Sequence, residues 1–364
     1  MKTLILVSLL LFSTTLFAKF ASNESCTVCH PLIAKEYQKA MHSKATIFKD
    51  PIHKAAWEKS PAFEKNFYDC GRCHTPADTD MMEYLDKNLS VIPDIKNRAQ
   101  NDAVSCSYCH RIKAIKKAEV QNYNITNTKE HLYYGNLKNP KENLFHKSAS
   151  NKGFKNGNMC VGCHSHFKNK QGINVCSTNQ ENELDSANCV SCHMPKADGP
   201  PSTTMNRKKH AYHGFAGIHN DMVMMNKYVE IEILKGVDRF FIAINSRIPH
   251  ALTLHPMRDM QLKVSVVRDG KRKTFKVQNF TRSLGNDENV TLPWKATKII
   301  KNTSIKANEK RVSTYMYALE KGDVVTARVG YYLMNEGIRK TLGLKKDKKL
   351  QKFKLLKHKI FTID

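Results

Sequence analysis

Beyond residue 18 the chain has no uninterrupted apolar run approaching membrane length, which argues against a later membrane span and points to a soluble mature protein. Cysteine is absent after Cys192, so all eleven cysteines fall in the first part of the chain. Carboxylates are scarce. The 33 Asp and Glu stand against 59 Lys and Arg, a formal net charge of +26. No recognition fold or aromatic-basic platform accompanies that charge, so nucleic acid is not an expected partner. The surplus suits electrostatic docking to an acidic partner.

What the chain does have is one pattern five times over. It reads Cys26-Thr27-Val28-Cys29-His30, Cys70-Gly71-Arg72-Cys73-His74, Cys106-Ser107-Tyr108-Cys109-His110, Cys160-Val161-Gly162-Cys163-His164 and Cys189-Val190-Ser191-Cys192-His193. Zinc sites and disulfides also use paired cysteines, but neither requires His at the next position every time. With 16 His in 364 residues, five such coincidences are not chance. Cys-x-x-Cys-His is the attachment site of a c-type haem. Thiols at i and i+3 share one face of a helical turn and reach the two vinyl groups of one macrocycle. The adjoining imidazole then meets the iron from the proximal side. Five covalently attached c-type haems are therefore expected. Their ten propionates would bring the charge to roughly +16.

The N-terminus reads as an export signal. Met1-Lys2 is followed by a largely apolar Leu4–Phe17 and by small Ala18, a pattern too short and wrongly flanked for an anchor. Three segments are expected: a signal peptide over 1–18, a pentahaem domain over 19–225 and a β-domain over 226–364. Short amphipathic stretches such as Leu32–Lys44 and Lys54–Asn66 look helical, and the Pro-, Gly- and Asn-rich links look like loops. So many macrocycles in so few residues leave little protein-only core, and the polypeptide would wrap around them.

Each iron also needs a sixth ligand or an open face. Eleven His lie outside the motifs, at 42, 53, 131, 146, 166, 210, 213, 219, 250, 255 and 358. Met222, Met224 and Met225 are more simply read as packing.

At these residues the chain resembles the multihaem c-type cytochromes, the group that includes the hydroxylamine-pathway tetrahaem cytochromes and the pentahaem nitrite reductases. The carriers are the five motifs, Cys192-His193-Met194-Pro195-Lys196, the Met41-His42-Ser43 segment and the His210–His219 cluster. The resemblance covers about residues 22–225. It implies distal ligation by His42, His146, His213 and His219, with His210 close in reserve, and it implies the periplasm, where bacterial haem attachment takes place. Two departures stand out. The pentahaem nitrite reductases hold the catalytic haem with Lys in place of the motif His, whereas all five motifs here end in His. Cys176, the eleventh cysteine, has no motif partner. Its spacing to Cys192-His193 resembles the active-site motif of octahaem sulfite reductases, but Cys189 stands in the ordinary position, so the overlap reads as accidental. Cys176 remains a free thiol, a packing residue or a ligand.

From Met225 the pattern changes to period two. Strands are expected at Tyr228–Ile233, Arg239–Asn245, Gln261–Val267, Lys273–Val277, Val312–Tyr317 and Val324–Tyr332, with a hairpin turn at Asp269-Gly270. An antiparallel sandwich follows. The fold class is α+β, a mostly helical and loop multihaem cytochrome domain followed by a β-sandwich-like domain. Asn245-Ser246-Arg247-Ile248-Pro249-His250 with Arg258 resembles in part the stretch that opens the β-domain of some multihaem cytochromes. That makes His250 a candidate fifth distal ligand, a plain loop histidine being the alternative. The Lys345–Lys357 tail reads as a basic amphipathic helix. Asn88 and Asn289 each sit in an acceptor-type Asn-x-Ser/Thr with an acidic residue two places earlier, Asp86 and Asp287, which resembles the extended acceptor of certain bacterial glycosylation systems.

Two functions of different class stay open. One is a periplasmic electron carrier of a respiratory chain, docked to redox proteins, with a membrane quinol-oxidising cytochrome as one candidate. The other is an oxidoreductase acting on a small nitrogen or sulfur compound at one open-faced haem, with Tyr108, Tyr212 and Arg72 as nearby polar groups.

Overall fold

The computed structural model describes residues 20–364 apart from 130, 141, 179–187 and 288. The expected export signal over 1–18, and Glu288 in the second glycosylation-type motif, lie outside the described residues. Among those described, no helix is long and apolar enough to cross a membrane.

The motif-bearing half is a succession of short helices, none longer than eight residues, and small two-stranded ladders. The expected helix over Leu32–Lys44 is two pieces, Pro31–Tyr37 and a 3-10 turn at Met41–Lys44. The one over Lys54–Asn66 is likewise Pro51–Glu58 and Pro61–Glu64. Pro51 and Pro61 set the starts, because proline is favoured in the first helical turn and blocks continuation of a preceding one. Asp50 caps the longer piece by accepting from Ile52 N at 2.9 Å. Protein-only packing in this half is thin and divides into small clusters such as Ile47, Trp57, Tyr68, Met81 and Leu85.

Strands take over at Val229. One antiparallel sheet joins Val229–Lys235, Phe240–Ser246 and Lys310–Tyr315. A larger one runs Lys271–Thr274, Asp259–Arg268, Val324–Tyr332, Lys354–Thr362, with Gln278–Phe280 also on Asp259–Arg268. Alternate residues Phe240, Ile242 and Ile244 of the first sheet share one buried cluster with Met260, Leu262, Val264, Val325, Ala327 and Val329 of the second. Two sheets that bury alternate residues against each other form a sandwich. Asp269 and Gly270 both have positive φ, 48° and 75°, as a two-residue hairpin closing Arg268 onto Lys271 requires.

The sandwich expectation needs two corrections. Lys273–Val277 is not one strand: pairing stops at Thr274 and resumes at Gln278. The lysine-rich tail is not a helix. Residues 344–352 turn, and Lys354–Thr362 is an edge strand on Val324–Tyr332. Lysines on an edge strand keep its open backbone from pairing with another chain.

The halves are joined by polar contacts. Asn169 Nδ2 donates to Pro293 O at 2.9 Å and to Ala296 O at 2.8 Å. Arg282 donates to Asn174 O at 2.5 Å and to Val175 O at 3.2 Å. Ala216 and Met225 extend the sandwich core toward Cys192.

Candidate metal centres

Each motif folds as one helical turn. In four of them the His amide donates to the carbonyl of the first cysteine: His30 to Cys26 at 3.0 Å, His74 to Cys70 at 3.0 Å, His110 to Cys106 at 3.0 Å and His164 to Cys160 at 2.9 Å. The fifth forms the helix Cys189–His193, whose cap Asn188 accepts from Ser191 N at 3.1 Å. Ser105 caps the third in the same way, accepting from Tyr108 N at 3.1 Å. The turn brings both thiols to one side and sends the imidazole back beneath them. All ten motif cysteines are free of disulfides.

Four motif histidines face a second imidazole from elsewhere in the chain. His30 faces His146 with ring centroids 6.4 Å apart, and His110 faces His213 at 6.2 Å. His193 faces His250 at 6.2 Å, and His164 faces His42 at 5.8 Å. Two imidazoles bound through Nε2 to opposite sides of one iron, with bonds of about 2 Å, have centroids roughly 6 Å apart. The pairs match that span. The planes are 25°, 22° and 13° apart in the first three pairs and 72° apart in His42–His164.

The other ring nitrogen is tied down in most of these residues. His30 Nδ1 donates to Pro201 O at 2.6 Å, His110 Nδ1 to Tyr134 O at 2.7 Å and His193 Nδ1 to Ala216 O at 2.6 Å. His213 Nδ1 donates to Ala211 O at 2.6 Å and His250 Nδ1 to Ala251 O at 2.9 Å. A carbonyl only accepts, so the proton is fixed on Nδ1 and Nε2 keeps its lone pair for a metal. Burial pushes His42 and His213 down to about 3 and lowers His110, His146, His164 and His250, with neighbouring imidazoles adding to it. Neutral imidazole is the ligating form.

The hollow between His193 and His250 is lined by Cys189, Cys192, Tyr228 and Pro249. Thioether-forming cysteines, two facing imidazoles and an intervening hollow fit a covalently bound haem.

His74 is different. His53 lies beside it, with centroids only 3.9 Å apart, too close for an iron between the rings. Both donate through Nδ1 to the same carbonyl, Ala45 O, at 2.9 and 2.7 Å. Tyr68 Oη lies 3.4 Å from His53 Nε2. His53 was not singled out by its surroundings in the sequence, because nothing local marks the Ala45 carbonyl as shared.

The remaining expected ligands lie elsewhere. Among the described residues His219 faces no motif histidine; its Nε2 accepts from Arg258 Nη2 at 2.9 Å. His210 is occupied at both nitrogens, by Gly199 O at 2.9 Å and Glu36 Oε1 at 3.1 Å. Clustering in sequence drew attention to both, but the chain between His210 and His219 turns so that only His213 points at a motif. Arg72 pairs with Asp86, and Tyr212 donates to Asp221. Tyr108 is buried against Phe20. Met225 is buried in the sandwich core, Met222 packs on it and Met224 is exposed. Cys176 lies opposite Phe167 in a small ladder, where burial pushes its thiol up to about 11. Asn88 and Asn289 are both exposed.

Motif thiols also meet across motifs. Cys26 lies within hydrogen-bonding reach of Cys106, Cys73 of Cys163, and Cys160 of Cys189. Gly157, at φ 90°, permits the last approach: a Cβ there would fall 2.6 Å from that of Cys189.

The family model for cytochrome c554 and c-prime matches residues 25–111 and 105–194. A search of curated proteins gives no significant match. Among solved structures, a penta-haem cytochrome c552 from Thermochromatium tepidum is similar at a TM-score of 0.75 and 20% identity, over 95% of this chain and 100% of that one. The strand-rich half lies outside the family match but inside the structural one. By these matches the motif-bearing half is similar to the multihaem c-type cytochromes.

Proposed function

We propose that this protein carries electrons through five covalently attached c-type haems, outside the cytoplasm and within a respiratory chain. The observation that supports it most is the set of four facing imidazole pairs, which would hold four haem irons from both sides and leave them only electron transfer to do. The haem supplies the one-electron chemistry. The chain fixes ligand orientation through the Nδ1 bonds and excludes water by burial. Touching thiols support an order in space that differs from the order in sequence. The first and third motifs pair, as do the second and fourth, and the fourth also meets the fifth. By these contacts electrons would pass between the first and third haems, and among the second, fourth and fifth. Intact mass of the exported protein from cells competent in cytochrome maturation tests the haem count. An increment for five macrocycles supports the proposal, and an unmodified chain contradicts it.

A second reading gains support from His74, which has no imidazole opposite it among the described residues. Its haem would keep an open distal face for a small nitrogen or sulfur compound. Optical titration of the holoprotein with nitrite, hydroxylamine, sulfite or carbon monoxide tests this. A Soret shift supports a reductase or oxidase function, and an unchanged spectrum leaves transfer alone.

A further inference from the structure

Where the strand-rich half meets segment 44–50, hydrogen-bond donors gather and, among the described residues, no carboxylate is paired with them. Arg258 immediately precedes the strand Asp259–Arg268. It gives Nη1 to Leu333 O and Nη2 to His219 Nε2, the latter at 2.9 Å. An arginine only donates, so the proton of His219 sits on Nδ1. Met257 N donates to His255 Nδ1 at 3.2 Å, so the proton of His255 sits on Nε2. Lys354 Nζ donates to His219 O at 3.5 Å. Both imidazoles therefore have an N–H to offer, and Arg258 has further N–H groups.

The field is mostly positive. Lys44, Lys354 and Arg258 act on His219, and Arg258 and Arg282 act on His255. Among the described residues no carboxylate forms an ion pair with Arg258; Asp50 acts on it only from a distance. Desolvation pulls Arg258 down to about 10 and both histidines to about 3, so near neutral pH the cluster holds one guanidinium cation and two neutral imidazoles. A buried charge normally has a partner, and guanidinium is shaped to hold two oxygens of one carboxylate or oxyanion.

We propose that Arg258, His219 and His255 form an oxyanion site, filled either by the propionate of an attached haem or by a small free oxyanion. The propionate alternative rests on the five-haem reading, so haem content is first established by intact mass. Holoprotein and its Arg258→Gln variant are then compared by calorimetric titration with sodium formate and by spectroelectrochemistry. The Soret band is followed so that binding at iron is scored separately.

A free-oxyanion site binds formate without a Soret change, and Arg258→Gln weakens that binding about tenfold or more. A propionate site shows no such formate binding. Instead Arg258→Gln lowers the midpoint potential of one haem, because losing the nearby cation favours the ferric state. If Arg258→Gln fails to mature, His255→Phe removes one donor while keeping the charge, and the same two readouts apply. Formate binding that ignores these residues, together with unmoved potentials, overturns the proposal.

Discussion

His193 and His250 stand 6.2 Å apart with ring planes only 13° from parallel, and they come from different halves of the molecule. His193 ends the last motif helix, while His250 sits in the loop after the strand Phe240–Ser246. On the proposed reading the β-sandwich would help hold the last haem: its loop lines the last hollow, and Ile248 near His250 belongs to its core.

If that relationship ligates iron, His250→Ala leaves one haem with an open face. The variant is expected to keep its full haem mass, gain one high-spin ferric signal and bind carbon monoxide. Electron paramagnetic resonance of the purified variant beside the wild type checks this, and an unchanged low-spin count contradicts it.

Removing His53 separates a neighbour from a ligand. Because His53 lies beside His74, His53→Ala is expected to leave the number of low-spin haems unchanged. His219→Ala should behave in the same way, since its Nε2 is engaged by Arg258. Loss of a low-spin signal in either variant would show that its imidazole reaches an iron.

A pH prediction rests on Asp323 in the sandwich. Its carboxylate accepts from Arg268 Nε at 2.8 Å, Arg268 Nη2 at 2.7 Å and Glu320 N at 2.9 Å, and the Arg268 bonds lower its pKa. A depressed carboxylate stabilises the fold above its unfolded pKa, about 3.9, and that contribution is lost as pH falls through the lower folded value. Denaturant unfolding should therefore show wild type losing stability below about pH 4. Asp323→Asn should be less stable near pH 7 by about 1.5–3 kcal/mol, with the gap narrowing in acid.

Much of the chemistry was legible because it is local. Cys-x-x-Cys-His marks thioether attachment within five residues, and the alternation of Val229–Lys235 or Val324–Tyr332 announces its own strand. Pairing across the chain is not local. Nothing near His42 names the fourth motif as its partner, and nothing near His146 names the first. The His210–His219 cluster offered two candidates and a reserve, and only the fold separates His213 from the two held by Glu36 and Arg258. The tail misled for a related reason. Dense lysine suggested an exposed helix, whereas an edge strand tolerates the same residues because its open side faces solvent.

The central claim is axial ligation, and the ferric holoprotein tests it directly by electron paramagnetic resonance. Three haems with near-parallel imidazoles should give rhombic low-spin signals. The His42–His164 haem, with planes 72° apart, should give a strongly anisotropic low-spin signal, and the His74 haem a high-spin one. Five low-spin haems, or a high-spin signal from more than one, would contradict the account.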